Sequence, residues 1–356
     1  MPGSLKSVSR KLIDQFHSFP LAFIGVGKPG AWDRLVILRP KLVKGRSQAI
    51  TLSRLVVDPV APTTHDLSVI SGLQWDSTKS DTENHQAIDN ALDVERVTRQ
   101  FFRELNSHYQ AIVQGVEKLA KEDPSIYSGV DAAGGHERVA LRIITQTLFC
   151  YFLQKKGLLE KNPKWLSVQF DNWTKSGEEG SFYADVMESL FYGMLNTPVD
   201  ERDSSLAGRQ VPFLNGGLFE RRYGGISIEL PNELFNTDDG LLGFLDGWNF
   251  TVSEERADET EVAVDPEMLG KVFENLMADH DKKSQGAVYT PRPVVQFMCR
   301  EALVPYLQRK ADIPENQARI LIDGDDPFVE LAEATTVEHS AEVADAVEEA
   351  MTTIQV

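Results

Sequence analysis

The chain has 356 residues, 42% of them hydrophobic, and carries 54 Asp and Glu against 36 Lys and Arg, a formal charge of −18. That length and apolar content suit a globular protein of two or three subdomains and exclude a disordered one. The charge is uneven, so the total does not exclude a nucleic-acid partner. Ten Lys or Arg face three Asp in the first sixty residues (+7), whereas from Asp312 onward twelve acidic residues face only Arg319 (−11).

Residues 1–60 open with an amphipathic helix over Leu5–Phe16 and then change period. Pro20–Gly25, Arg34–Arg39 and Ala49–Leu52 are short β-type runs separated by turn-forming stretches, as a meander requires. Six basic residues between Arg34 and Arg54 could track phosphates, although Lys and Arg also protect strand edges. Thr63–Asn90 is polar and Asp-rich and reads as a connection with one short helix. Asp93 is an N-cap for a long helix to Lys121, with Val97, Phe101, Leu105, Tyr109, Ile112 and Val116 on one stripe, stopped by Asp123-Pro124. A second helix runs from Gly135 to a basic last turn and stop at Lys155-Lys156-Gly157. Trp165–Phe170 and Phe182–Leu195 add two apolar helical segments.

Val211–Glu220 holds too many turn formers for a helix. Its Gly216-Gly217 pair reads as a tight turn and not a phosphate cradle, because no Lys-Ser/Thr follows. Trp248–Ser253 is a candidate strand and Glu254–Glu261 a charged surface segment. A Pro-initiated helix starts at Asp265-Pro266. From Ser284 to Leu303 a loop with the rigid corner Tyr289-Thr290-Pro291 feeds another helix, whose apolar residues Val294, Val295, Met298 and Leu303 recur at helical spacing. Free N–H groups at such a helix start suit a carboxylate or phosphate.

The two cysteines, Cys150 and Cys299, lie in apolar helical patterns and read as buried thiols of a reducing compartment; they offer no zinc site. The start lacks a signal-peptide core, and the most apolar run, Ala140–Leu153, is short and broken by Arg142 and Gln146, so the expectation is a cytoplasmic protein without a membrane span. The Glu-x-Lys pair of metal-dependent nucleases is absent, and the lone Asp-x-Lys, Asp281 with Lys283, has no β-context.

Four stretches in order carry a resemblance: Glu137–Gly157, Phe213-Leu-Asn-Gly-Gly-Leu-Phe219, Pro266–Asn275 and Gly286-Ala-Val-Tyr-Thr-Pro291. They are similar to the amino-terminal and helical regions of type IIG restriction-modification methyltransferases, adenine-specific DNA enzymes that use S-adenosylmethionine. The resemblance implies that Tyr289, Thr290 and Pro291 line the cofactor site, and that the partners are double-stranded DNA and a downstream catalytic methyltransferase segment or subunit. Two family motifs, Asp-Pro-x-x-Gly-Ser-Gly and Asn-Pro-Pro-aromatic, do not occur; Asn162-Pro163-Lys164-Trp165 lacks the second proline and precedes the cofactor motif. No catalytic residue is therefore assigned.

The expected fold is mainly α, with a small α/β or β-rich amino-terminal subdomain. Its parts are a β-rich subdomain and connector (1–90), a helical bundle (91–200), an irregular insertion (201–265) and the helical lead-in to a truncated class I, Rossmann-like methyltransferase domain (266–356). In that family an acidic helix such as Glu338–Glu349 leads to a strand such as Met351–Val356, so the resemblance implies an amino-terminal fragment with almost no methylation activity alone. The alternative is a non-catalytic helical scaffold that binds DNA or a partner.

Overall fold

The computed structural model describes residues 21–28, 31–42, 50–177, 179–206, 208–214, 216–220, 227–252, 259–266, 290, 292–323 and 342–347, with residues 270, 331, 335 and 350. The protein is mainly helical with a small sheet near its amino terminus, and it divides into two compact units, one spanning Pro20–Ala287 and one containing Val288–Val356. The expected helix at Leu5–Phe16 lies outside the described residues, and of the one expected from Pro266 the described Gly270 is helical.

In the larger unit, β1 (Ala22–Lys28), β2 (Ala31–Leu42) and β3 (Ile50–Val57) form the expected antiparallel meander. In β1 the Trp32 ring lies over Gly25, where a Cβ would stand 2.6 Å from ring carbons. A fourth strand, β4 (Glu259–Glu261), pairs parallel to β3 in the register Leu52↔Glu259. This overturns the reading of Glu254–Glu261 as a surface segment at its far end. Glu261 is buried, 6% exposed, because its carboxylate meets the Arg54 guanidinium at 3.0 Å. Of the candidate strand at Trp248–Ser253, Phe250 alone among the described residues forms a β-bridge, to Val264.

The polar stretch after β3 holds two helices, α1 (Thr64–Gly72) and α2 (Asp81–Ala91). Each begins with a reciprocal cap: Thr63 with Asp66, and Ser80 with Glu83, exchange side-chain and backbone hydrogen bonds. The long α3 (Val94–Glu122) starts at Asp93, whose side chain accepts from the Glu95 N–H at 3.0 Å. Asp123 ends α3 and also caps α4 (Pro124–Ala132), which opens on the proline that the sequence presents as a stop. The α5 helix (His136–Lys155) ends where Gly157 adopts φ +74°. Then come α6 (Trp165–Ser176), two π-helical stretches at Tyr183–Met187 and Ser189–Leu195, and the short α7 (Leu241–Asp246).

One apolar core joins sheet and helices. It contains Ile37, Leu55 and Val57 of the strands together with Phe101, Leu105, Ile112 and Val116 of α3 and Val139, Ile143 and Leu148 of α5. Aromatic rings bind the 241–250 segment to it: Phe101 meets Trp248 at 5.1 Å and Phe244 at 5.5 Å, and Tyr151 meets Phe250 at 5.1 Å. Complete burial of Phe101 contributes about 2–3 kcal/mol by area.

The smaller unit contains α8 (Arg292–Lys310) and α9 (Glu315–Asp323). Val304 and Leu307 of α8 are buried with Ile313, Ala318, Leu331, Val343 and Ala350, and the Tyr306 hydroxyl donates to the Ala350 carbonyl at 2.8 Å. Residues 342–347 of the acidic segment are helical; the expected strand at Met351–Val356 lies outside the described residues.

Candidate functional site

Thr290 is exposed and stands two residues before α8, so the loop-to-helix transition expected there exists. Tyr289 and Pro291 lie outside the described residues. Val294, Val295, Phe297 and Met298 are 46%, 42%, 64% and 61% exposed, and among the described residues of this helix the buried ones are Val304 and Leu307 of its carboxyl-terminal half. Cys299 is exposed with them, contrary to the expectation of two buried thiols, whereas Cys150 is buried and burial pushes its thiol pKa up. An exposed threonine next to an exposed apolar helix start can form one side of a ligand site. Among the described residues nothing encloses it.

The first two motifs that resemble restriction-modification methyltransferases meet each other. On α5, Arg142 donates to the carbonyls of Gly217 (2.9 Å) and Glu220, and Gln146 donates to the Leu218 carbonyl at 2.8 Å. These side chains hold the turn Gly217–Phe219, whose Phe219 ring is buried against Phe149 and Phe191. The turn's carbonyls are consumed internally, in keeping with a packing turn.

Farther along α5, the Tyr151 hydroxyl lies 3.0 Å from Asp246 Oδ1 and 3.1 Å from the Leu242 carbonyl oxygen. Ser167 Oγ donates to Asp246 Oδ2 at 2.6 Å. Burial, and then the Asp246 charge, push the Tyr151 pKa well up, so it stays a proton donor. Gln154 Oε1 accepts from the Leu166 N–H at 3.2 Å, satisfying a free donor at the start of α6. Two sides of α5 are thus used: Arg142 and Gln146 hold the glycine turn, and Tyr151 and Gln154, on a different side of the helix, hold α7 and α6.

The partial match Asn162-Pro163-Lys164-Trp165 is structural. Asn162 accepts from the Lys164 N–H at 2.9 Å, and Trp165 is buried with its indole N–H donating to Glu160 at 2.8 Å. A ring so placed cannot stack on a flipped base.

Among the described residues, three of the four basic side chains between Arg34 and Arg54 are engaged within the fold. Arg39 meets Asp89 at 2.9 Å, Lys41 meets the same carboxylate at 3.1 Å, and Arg54 holds Glu261. Burial would raise the Asp89 pKa, but hydrogen bonds from Arg39 and Lys41 outweigh it and hold the carboxyl below its ordinary value. A polar cleft of about 440 Å³ lies here, lined by Lys41, Ser53, Asp89, Asp93, Glu95 and Thr260 among others. Sequence spacing gave no sign of it, because its lining comes from segments far apart in the chain. Among the described residues no cluster of His, Cys, Asp or Glu could hold a metal ion, and no helix is long and apolar enough to cross a membrane.

No family profile matches the chain, and no solved structure matches it. It is 28% identical over 255 residues to a protein of Methanocaldococcus jannaschii provisionally named a type II restriction enzyme and methyltransferase, in a match covering 62% of this chain. The chain spans about a fifth of that relative's length, the covered share being 20%.

Proposed function

We propose that the chain is the amino-terminal part of a restriction-modification DNA methyltransferase of the type IIG kind, adenine-specific and dependent on S-adenosylmethionine. The observation that carries this reading is the 255-residue similarity to a relative whose name joins restriction and methylation. In this reading residues 91–265 form a helical support and residues 266–356 lead into a class I sheet supplied by further polypeptide, whether continuous with this chain or a separate subunit. Double-stranded DNA is the substrate.

Bound S-adenosylmethionine supplies the methyl group. The residues present fit one side of its site. Thr290 offers an exposed hydroxyl, the start of α8 offers backbone N–H groups to the ligand's carboxylate, and Tyr289 and Pro291 are its neighbours in sequence. Nothing in the sequence supplies the glycine-rich turn for the ribose or the Asn-Pro-Pro-aromatic set for the adenine amino group. The exposed Val294, Val295, Phe297 and Met298 support the same view, since a contiguous apolar face beside Thr290 calls for a cover.

Titration calorimetry tests the reading. The chain alone should show no S-adenosylmethionine binding, and a mixture with the product of the adjacent downstream reading frame should bind one equivalent. A mixture that forms a complex yet binds no cofactor would remove the support for a shared site.

A further inference from the structure

The longest helix, α3, presents a second surface that none of the four motifs includes. Its buried stripe through Val97, Phe101, Leu105, Tyr109, Ile112 and Val116 fixes it rigidly to the core. The opposite face shows Arg96, Arg99, Arg103, Asn106, Gln110 and Gln114, all exposed. These positions step by three or four residues, so they share one line along the helix. Eighteen residues at 1.5 Å rise make that line roughly 27 Å long.

Its composition is unlike that of the chain. The protein carries −18, yet these six positions hold three guanidinium groups and three carboxamides and no carboxylate. Arg96 and Arg103 form no ion pair among the described residues. Arg99 reaches Glu95 at 3.5 Å, a pair in which both side chains are mostly exposed and which therefore contributes little. The neighbouring acid Glu104 is turned to Gln100, whose amide donates to it at 3.0 Å. Guanidinium groups at helical spacing match a phosphate backbone. Asn and Gln are the side chains that pair with base edges and sugar-phosphate oxygens.

We propose that this face of α3 is a duplex-DNA contact surface, with Arg96, Arg99 and Arg103 on phosphates and Asn106, Gln110 and Gln114 extending the contact along the same groove. The choice of DNA as ligand rests on the restriction-modification reading; the location rests on the helix face alone.

The test measures duplex-DNA affinity of the full chain by fluorescence anisotropy across a salt series. The variants are R96Q/R99Q/R103Q and a control of equal charge loss elsewhere, K156Q/K161Q/K164Q. Three lost phosphate contacts should lower the log–log salt slope by about 2.7, and weaken binding by two to three orders of magnitude at low salt, while the control keeps the wild-type slope. Circular dichroism checks that both variants remain folded. If wild type binds DNA and the arginine variant keeps its slope, the surface is wrong while the restriction-modification reading stands. Absence of wild-type binding to duplex at low salt would overturn the surface and the DNA partner together.

Discussion

Replacing Tyr151 with Phe removes one oxygen from the joint between α5, α6 and α7 and leaves the ring packing intact. The hydroxyl has one proton and two acceptors within reach, the Asp246 carboxylate at 3.0 Å and the Leu242 carbonyl at 3.1 Å. The charged acceptor takes it, and a hydrogen bond to a charged group contributes about 1.5–3 kcal/mol. Asp246 is only half-buried and keeps Ser167, so the lower end applies and Y151F should cost about 1.5–2 kcal/mol. In a D246A background the hydroxyl turns to Leu242, a neutral bond, and the same change should cost about 1 kcal/mol or less. The double-mutant cycle therefore carries a coupling of about 1 kcal/mol. Urea unfolding followed by tryptophan fluorescence measures it cleanly, because all five tryptophans lie in the Pro20–Ala287 unit. The denaturant slope should not change. A Y151F midpoint equal to wild type, or an equal loss with and without Asp246, would refute the view that this motif tyrosine acts as an internal tie.

Three further outcomes follow from the same structure. His65 is buried against Trp248 at 4.7 Å, and neither ring nitrogen has a hydrogen-bond partner among the described residues. Burial lowers its pKa to about 4, so its contribution is fully present above about pH 6.5 and is lost as pH falls toward 4. Wild type should lose about 2 kcal/mol relative to H65F between pH 7 and pH 5. Taking the difference cancels the opposite trend of neighbouring Asp66, whose carboxyl pKa is raised by burial; parallel pH curves for the two proteins would refute the assignment. Glu261→Ala should destabilise by about 3 kcal/mol because it strips the carboxylate from half-buried Arg54, whereas R54M/E261L should cost clearly less, as read by the same urea midpoints. Phe297→Ser with Met298→Ser should leave thermal unfolding unchanged, since both side chains are mostly exposed, but should abolish association with the proposed downstream polypeptide on size exclusion; retained association would show that this face is not the contact.

Elements with a local signal were legible in the sequence. The Asp93 cap and the apolar stripe from Val97 to Val116 specify α3, and the basic last turn with Gly157 specifies the end of α5. The capping boxes at Thr63 and Ser80 were equally local, yet the polar composition of residues 63–90 suggested one short helix where there are two, both with solvated outer faces. Asp123-Pro124 was ambiguous by nature, because proline that ends one helix is also suited to open the next. The fourth strand and the Tyr151–Asp246 tie were not legible, for they join residues 207 and 95 positions apart. The apolar pattern of Ser284–Leu303 gave the helix correctly but not its exposure, since periodicity reports which face is apolar and not what covers it.

The most direct test of the methyltransferase reading is methyl transfer itself. The chain, the downstream product and their mixture are incubated with labelled S-adenosylmethionine and duplex DNA, and the DNA is hydrolysed for nucleoside analysis by mass spectrometry. The account predicts N6-methyladenine from the mixture and none from this chain alone; label on cytosine, or no label from a mixture that forms a complex, would contradict it.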